Sequence, residues 1–169
     1  MKVPNKLKIT FVVVAMAMSS LAFAGEAAVT WQNPEKYTDI DSSNGSREKF
    51  QRELFKVLGG EFSKQAEKLP QGYKLLVNVT NLDLAGEMLI GPKGASTRVV
   101  KAINFPKMSF DYQLKDAAGA VVQEQKAVNV QDMSFYSSTS LARSSSDSYY
   151  FEKNLIRQWF KDDLLPKVK

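Results

Sequence analysis

The stretch MSFDYQLK, Met108 to Lys115, decides the fold because apolar and polar residues alternate along it without a break. Successive side chains of a β-strand point to opposite faces, so this pattern predicts a strand with one buried and one solvated face. Asp116 to Gly119 has the composition of a turn, and Val121 to Val130 follows it as the hairpin partner. We therefore expect an antiparallel sheet with one apolar face.

A long amphipathic helix is predicted upstream of this hairpin, with Ser46 as its N-cap and Pro70 beyond its end. Its apolar residues recur every four positions and form one stripe; they are Phe50, Leu54, Leu58, Phe62 and Ala66. Gly59 and Gly60 lie in the middle of the helix, where each costs about 1 kcal/mol relative to alanine. We expect a kink or a close backbone contact to compensate for them.

A second helix is predicted from about Tyr149 to Leu165, and Pro166 ends it. Two adjacent rows of apolar residues, each spaced four apart, give this helix a wide apolar face; the rows are Phe151, Leu155, Trp159 and Ile156, Phe160, Leu164. Two polar segments are predicted to be loops, the serine-rich Ser134 to Ser148 and the glycine-containing Gly86 to Thr97.

Shorter alternating segments supply the remaining strands. One lies around Val29 and Trp31, another runs from Lys74 to Thr80, and Val99 to Phe105 resumes the alternation before Pro106, which marks a bulge or an edge. The predicted order is strand, helix, three strands, helix. This order predicts an α+β fold of two layers, in which an antiparallel sheet of about four strands carries two helices on one face.

The N-terminus has the three parts of a secretory signal peptide. Positive lysines precede the apolar run Ile9 to Met18, and Ala22, Phe23 and Ala24 supply the small-x-small pattern at which a signal peptidase cleaves. The apolar run is shorter than the roughly 20 residues that cross a bilayer. Residue 25 is glycine where a lipoprotein needs cysteine. We therefore predict a periplasmic protein, residues 25–169, that folds as a single domain with no membrane span and no lipid anchor.

Composition removes several classes of chemistry, because the chain contains no histidine and no cysteine. Ser-His nucleophile pairs, zinc ribbons and thiol chemistry all need one of these residues. The chain has 23 basic and 18 acidic residues, and three of the lysines lie in the predicted signal peptide. Without those three lysines the protein keeps 20 basic and 18 acidic residues. An excess of two positive charges argues against a nucleic-acid partner. Carboxylate acid/base chemistry and oxygen-ligated calcium or magnesium remain.

No metal or cofactor is predicted. Asp39 and Asp41 open a segment that resembles a calcium loop, but the glycine of an EF-hand belongs where Asn44 stands and its bidentate glutamate where Phe50 stands. The stretch from Gly91 to Thr97 has the composition of a phosphate-binding loop without the Gly-Lys-Ser/Thr order, and a strand follows it. A turn and a hairpin loop explain the two segments.

The remaining candidate for catalysis is a pair of carboxylates. Asp83 and Glu87 flank Gly86 beyond the end of a strand, and Asp39 or Asp41 would complete such a pair if the fold brought it close. A second cluster is aromatic, formed by Phe135, Tyr136 and Tyr149 to Phe151. It is typical of helix packing on a sheet, and the alternative is a protein-contact surface.

Several motifs together resemble a known family. They are WQNPEKYTDI, residues 31–40, the cluster of residues 42–46, LDLAG, residues 82–86, and Phe105 with Pro106. They resemble a family of exported proteins from Gram-negative bacteria, a domain of unknown function, over essentially all of the chain after the signal peptide. The resemblance implies a location and no activity. Asp41 stands where that family usually has arginine.

Two functions are compatible with these observations. The first is a non-enzymatic binding or accessory protein of the envelope, whose partner is another envelope protein or a small ligand. The second is a carboxylate-dependent hydrolase that uses Asp39, Asp83 or Glu87. The absence of histidine and cysteine favours the first. No catalytic residue is assigned, and the oligomeric state stays open.

Signal-peptide processing is directly testable. Because the small-x-small pattern ends at Ala24, mass spectrometry of the exported protein should find Gly25 as its first residue. A chain that retains Met1 and stays in the cytoplasmic fraction would contradict the prediction.

Overall fold

The central sheet has four strands in a computed structural model that describes residues 24–41 and 46–168. The predicted signal peptide, apart from Ala24, and the turn at residues 42–45 lie outside the described residues. The strands of this sheet are β1 (Glu26–Trp31), β2 (Lys74–Asp83), β5 (Lys107–Lys115) and β6 (Val121–Gln131). A separate two-stranded sheet is formed by β3 (Glu87–Ile90) and β4 (Ser96–Val99).

Strand β5 lies in the middle of the sheet, as its alternation predicts. It pairs antiparallel with β2 on one side and with β6 on the other. Its apolar side chains are all buried on one face of the sheet; they are Met108, Phe110, Tyr112 and Leu114. The prediction of an α+β fold built on this strand is confirmed.

The sheet is mixed, which corrects the prediction that every strand pair is antiparallel. Strand β1 runs parallel to β2, with Glu26 opposite Lys74 and Trp31 opposite Val79. Between these two strands the chain forms helix α1 (Arg47–Ala66). A helix that crosses the sheet returns the chain to the end at which it started, so the next strand runs in the same direction.

Two helices pack on the buried face of the sheet, as predicted. The first is α1, whose N-cap Ser46 accepts a hydrogen bond from the backbone N–H of Lys49 at 3.4 Å. The second is α3 (Tyr150–Trp159), which continues into a π-helical turn at Phe160–Leu164. The stripe of α1 is buried from Leu54 to Ala66, with Phe50 partly buried at its edge.

The two helices meet through Trp159 and through a buried ion pair. The Trp159 ring centroid lies 4.7 Å from that of Phe110 and 6.3 Å from that of Phe62. Arg157 donates two hydrogen bonds of 2.8 Å to the carboxylate of Glu61 on α1. Burial raises the pKa of Glu61, but the hydrogen bonds from Arg157 and Gln65 outweigh it, and the net pKa is lowered.

Three segments of the chain differ in secondary structure from the prediction. The stretch Gly86 to Thr97 contains the hairpin β3–β4 instead of a loop, and the serine-rich segment contains helix α2 (Ser138–Ser144), which Ser137 caps. The alternation predicts a strand over Val99 to Phe105, but β4 ends at Val99. The chain turns after this residue, and the backbone N–H of Asn104 donates a hydrogen bond to the carbonyl of Lys101. The hairpin is held by backbone pairing of β3 with β4, and helix α2 starts where the side chain of Ser137 accepts a hydrogen bond from the N–H of Ser140.

The helices of the described residues include none that combines the length and the apolar character needed to cross a membrane.

The glycine pair in α1 has no compensating contact. The helix continues through Gly59 and Gly60, and an ideal Cβ built at either position meets no neighbouring atom within 4 Å. The expected close backbone approach is therefore not found. Gly25 is the opposite case, because a Cβ there would lie 2.6 Å from both the carbonyl oxygen of Ala66 and the Cβ of Leu69.

These two environments predict opposite effects of the same substitution. Gly60→Ala should stabilise the protein by about 0.5–1 kcal/mol, because alanine restricts the unfolded chain and meets open space in the helix. Gly25→Ala should destabilise it, since backbone and a packed side chain must move. Urea unfolding of both variants checks this, and equal effects of the two would contradict it.

Candidate functional site

Each of the three carboxylates Asp39, Asp83 and Glu87, proposed from sequence, has a basic side chain as its partner. Asp39 and Asp83 are neighbours in an isolated parallel bridge, but their side chains go to different cations. Asp83 Oδ2 lies 3.1 Å from Lys107 Nζ, and Glu87 pairs with Lys101. The hydrogen bond from Lys101 lowers the pKa of the exposed Glu87, so this group is a poor proton donor.

Arg98 on β4 uses its guanidinium to hold Asp39. Its Nη1 and Nη2 atoms each donate a 2.8 Å hydrogen bond to one carboxylate oxygen of Asp39. The same nitrogens also approach the backbone carbonyls of Gly86 and Asp41, at 3.5 and 3.4 Å. This fork-to-fork pair neutralises the charge of Arg98 and fixes the β3–β4 hairpin against the segment that follows β1.

A cleft of about 230 Å³ lies beside this ion pair. Six parts of the chain line it: the segment after β1, the N-terminal turn of α1, the residues just after β2, the β3–β4 hairpin with the residue that follows it, the region joining α2 to α3, and the first turn of α3. The lining side chains are mostly apolar or aromatic, with a few charged groups among them; they are Asp41, Phe50, Leu84, Ala85, Met88, Arg98, Val100, Ser144, Asp147, Tyr149, Tyr150, Phe151 and Glu152.

Glu152 is the buried charged group of this cleft, with 3% of its surface exposed. Its Oε1 atom accepts a 2.8 Å hydrogen bond from the backbone N–H of Ala85, just beyond the end of β2. Burial raises the pKa of Glu152, and hydrogen bonds from the backbone N–H groups of Ala85 and of Glu152 itself offset this in part, followed by the charges of Arg98 and Lys153. A buried carboxyl with a raised pKa in a cleft is typical of a functional site.

Tyr149 carries backbone strain at the mouth of the same cleft. It has φ 55° and ψ 34°, the left-handed region, although it is not glycine. Such a conformation costs roughly 1–2 kcal/mol for a bulky residue and is found preferentially at functional sites. Burial raises the pKa of Tyr149, and its ring lies edge-on to Phe50 with the centroids 6.2 Å apart.

The region before α3 forms one wall of the cleft. Asp147 pairs with Lys153 across the start of α3, and Arg143 of α2 donates a 3.3 Å hydrogen bond to the hydroxyl of Tyr150. The serine-rich segment is therefore tied to α3. Most of the predicted aromatic cluster packs in a small second core, where the ring centroids of Phe135 and Phe151 are 4.9 Å apart.

Sequence reasoning missed both charged residues at the centre of the cleft. Glu152 precedes Leu155 by three positions and Ile156 by four, so it lies on the apolar stripe of α3, and a charged residue there was the available signal. Arg98 gave no comparable signal, because its partner Asp39 is 59 residues away.

The acidic residues around the cleft do not form a metal site. Across residues 24–41 and 46–168, no group of three or more Asp or Glu side chains is arranged to hold a metal ion. Asp41 lies 3.4 Å from Arg47, Asp39 binds Arg98, and Asp147 binds Lys153. The carboxylates that the calcium-loop pattern pointed to are occupied by cationic side chains.

Comparison with known proteins identifies a family without an assigned activity. The profile of a family described as "Protein of unknown function (DUF3016)" matches residues 25–162. This confirms the resemblance to a domain of unknown function. No curated protein matches the chain. A crystal structure of a "putative lipoprotein" from Caulobacter crescentus CB15 is similar at 19% identity, over 63% of this chain and 77% of that one, with a TM-score of 0.33.

The two buried glutamates predict opposite pH dependences. The folded-state pKa of Glu152 is raised above 4.5, so the wild type should lose stability relative to Glu152→Gln as pH rises above that value. The pKa of Glu61 is lowered, so the ion pair stabilises the fold above 4.5 and this contribution is lost as pH falls through the folded pKa.

Urea unfolding across the acidic and neutral range measures both effects. Glu61→Gln should cost roughly 1.5–3 kcal/mol at neutral pH, because it removes a charged hydrogen-bond acceptor, and less in acid. The difference between wild type and Glu152→Gln should shift in the other direction. Parallel pH profiles for the two variants would show that the environment of Glu152 does not favour its neutral form.

Proposed function

The chain belongs to the DUF3016 family of proteins of unknown function, and we propose that it is an exported binding protein of the bacterial envelope, not an enzyme. One observation carries the proposal: a cleft built around the buried Glu152, with mostly apolar walls. Clefts with apolar walls and a few fixed polar groups are the usual form of a binding site.

The size of the cleft favours a side chain of a partner protein as its occupant. Pockets for small molecules and cofactors usually measure about 300–1,000 Å³, whereas this cleft holds about 230 Å³. It is large enough for one long side chain and small for a whole cofactor. An anchor residue that fills a preformed pocket is the common way in which a small contact area contributes most of the binding energy.

The charges around the cleft argue against the hydrolase alternative. A carboxylate-dependent hydrolase needs a proton donor and a second carboxylate that is free to act as base or nucleophile. Glu152 has the raised pKa of a donor. In the described part of the chain, however, Asp41 and Asp147, the other carboxylates that line the cleft, each contact a cationic side chain.

Export is supported by the signal-peptide pattern and by how the fold begins. Strand β1 starts at Glu26, one residue after the predicted new N-terminus. Gly25 packs so closely on the end of α1 that an ideal Cβ at this position would overlap Ala66 and Leu69. A domain that starts at Gly25 keeps every described strand and helix.

NMR titration of the labelled mature protein tests the binding function. The probes are blocked single amino acids, N-acetyl amides of leucine, phenylalanine, glutamine, glutamate, lysine and arginine. At least one of them should shift the amide resonances of Ala85, Arg98 and Glu152 in a saturable way. No saturable shift with any probe would contradict the proposal, and turnover of an ester or glycoside substrate that Glu152→Gln abolishes would favour the hydrolase.

A pair of matched variants locates the binding. Ser144→Trp places a large ring at the lining of the cleft and should weaken binding. Ser146→Trp makes the same change two residues away at an exposed position outside the lining, and should leave binding as in the wild type. Equal loss in both variants would show that the probes bind elsewhere.

A further inference from the structure

We propose that the cleft recognises a basic side chain, the ammonium of lysine or the guanidinium of arginine, presented by a partner polypeptide. This inference rests on the proposed binding function and names the chemistry of its ligand. It is carried by three features of the cleft: its charge, its aromatic walls and the position of Glu152.

Glu152 is the charged group of the lining that has no ion-pair partner among the described residues. Asp41, Asp147 and Glu152 are acidic, and Arg98 is the basic residue of the lining. Arg98 gives both terminal nitrogens to the two oxygens of Asp39 at 2.8 Å, so its charge is already compensated. Asp41 pairs with Arg47 and Asp147 with Lys153, so the carboxylate that an incoming cation would meet without a competing basic side chain is that of Glu152.

Aromatic rings stand beside these carboxylates. The lining includes Phe50, Tyr149, Tyr150 and Phe151, and the first two lie edge-on with centroids 6.2 Å apart. The face of an aromatic ring carries partial negative charge and attracts ammonium and guanidinium groups. Lysine and arginine also have apolar stems, which match Met88 and Val100 on the hairpin wall.

Glu152 is the group in the cleft that would carry the counter-charge of a bound cation. It is buried, and within the described residues no lysine or arginine lies within salt-bridge distance of it. A cation that enters between the aromatic rings would supply the counter-charge that the fold withholds. The rim carboxylate Asp41 lies 3.4 Å from Arg47, and both side chains are about half exposed or more, so that pair is a weak competitor.

Binding of a cation should then be coupled to proton release. Burial favours the protonated form of Glu152, and a bound cation favours the carboxylate. The charges that act on Glu152 are those of Arg98 on β4 and Lys153 on α3, and the charge of Glu152 in turn raises the pKa of Tyr149 at the N-cap of α3. Asp41 and Asp147 line the same cleft, and each pairs with a basic side chain. Affinity for a basic ligand should therefore rise with pH.

The experiment compares isosteric ligands with and without charge. Blocked arginine is titrated against blocked citrulline, and blocked lysine against blocked norleucine, with NMR shifts of the cleft amides as the readout at low salt. The charged member of each pair should bind about tenfold more tightly, equivalent to about 1.4 kcal/mol. Its affinity should increase as pH rises above 4.5, because the folded-state pKa of Glu152 is raised above that value, while the affinity of the neutral member stays constant.

Three variants assign the effect. Glu152→Gln should bring the charged and neutral ligands to within about threefold and remove the pH dependence. Glu61→Gln changes an equally buried glutamate outside the lining, so it should keep the discrimination. Asp41→Asn changes an exposed rim residue, should fold normally, and should weaken the charged ligands alone. It keeps the test informative if Glu152→Gln does not fold.

The outcomes separate this inference from the binding function on which it rests. Citrulline or norleucine binding as tightly as its charged counterpart would overturn the preference for a cation and leave the binding function standing. Binding of no ligand at all would overturn both. Discrimination that survives Glu152→Gln and Asp41→Asn would place the cation elsewhere on the surface and overturn the inference.

Discussion

The indole of Trp159 lies where the two main helices and the central strand meet, and its packing fixes the geometry of the whole buried layer. Its centroid lies within 4.7–6.3 Å of the rings of Phe62 on α1 and of Phe110 and Tyr112 on β5. These contacts set the rotation of α3 about its axis. Glu152 is seven positions before Trp159 and therefore lies two turns away on the same face of the helix. The packing of Trp159 thus also determines which way Glu152 faces.

Two features at the N-terminal end of α3 destabilise the folded state, and the packing of Trp159 has to offset their free-energy cost. Glu152 is a carboxyl turned into the protein interior, and Tyr149 is held in a left-handed backbone conformation. Each is unfavourable when considered alone. The helix cannot rotate to release them without breaking the aromatic contacts of Trp159 and the double hydrogen bond between Arg157 and Glu61. Local costs that a well-packed scaffold maintains are typical of sites under functional constraint.

The sequence predicts those features that depend on periodicity within one segment. The alternation of the Met108 strand, the stripe of α1 and the apolar rows of α3 each repeat over several turns or residues, and each is found. The parallel pairing of β1 with β2 is not encoded in alternation, because both directions of pairing bury the same face. The ion pair of Arg98 with Asp39 joins residues far apart in sequence, and neither is unusual in its own segment.

The contrast between the two buried glutamates shows why one belongs to the scaffold and the other to the cleft. Both are nearly inaccessible to solvent. Glu61 receives two hydrogen bonds from Arg157 and one from Gln65, which satisfy its negative charge and lower its pKa. Glu152 receives a backbone N–H from Ala85, while the nearby guanidinium of Arg98 is committed to Asp39.

The same residue type in the same degree of burial therefore has its pKa shifted in opposite directions. The negative charge of Glu61 is compensated by Arg157, so an additional cation would gain little binding free energy there. The carboxyl of Glu152 has no ion-pair partner among the described residues, and it lies in the lining of a cleft with aromatic rings. A buried carboxylate without an ion-pair partner is stabilised when a cation binds beside it. The fold gives Glu61 an ion-pair partner at the helix–helix contact, and it gives Glu152 backbone hydrogen-bond donors beside the cleft instead.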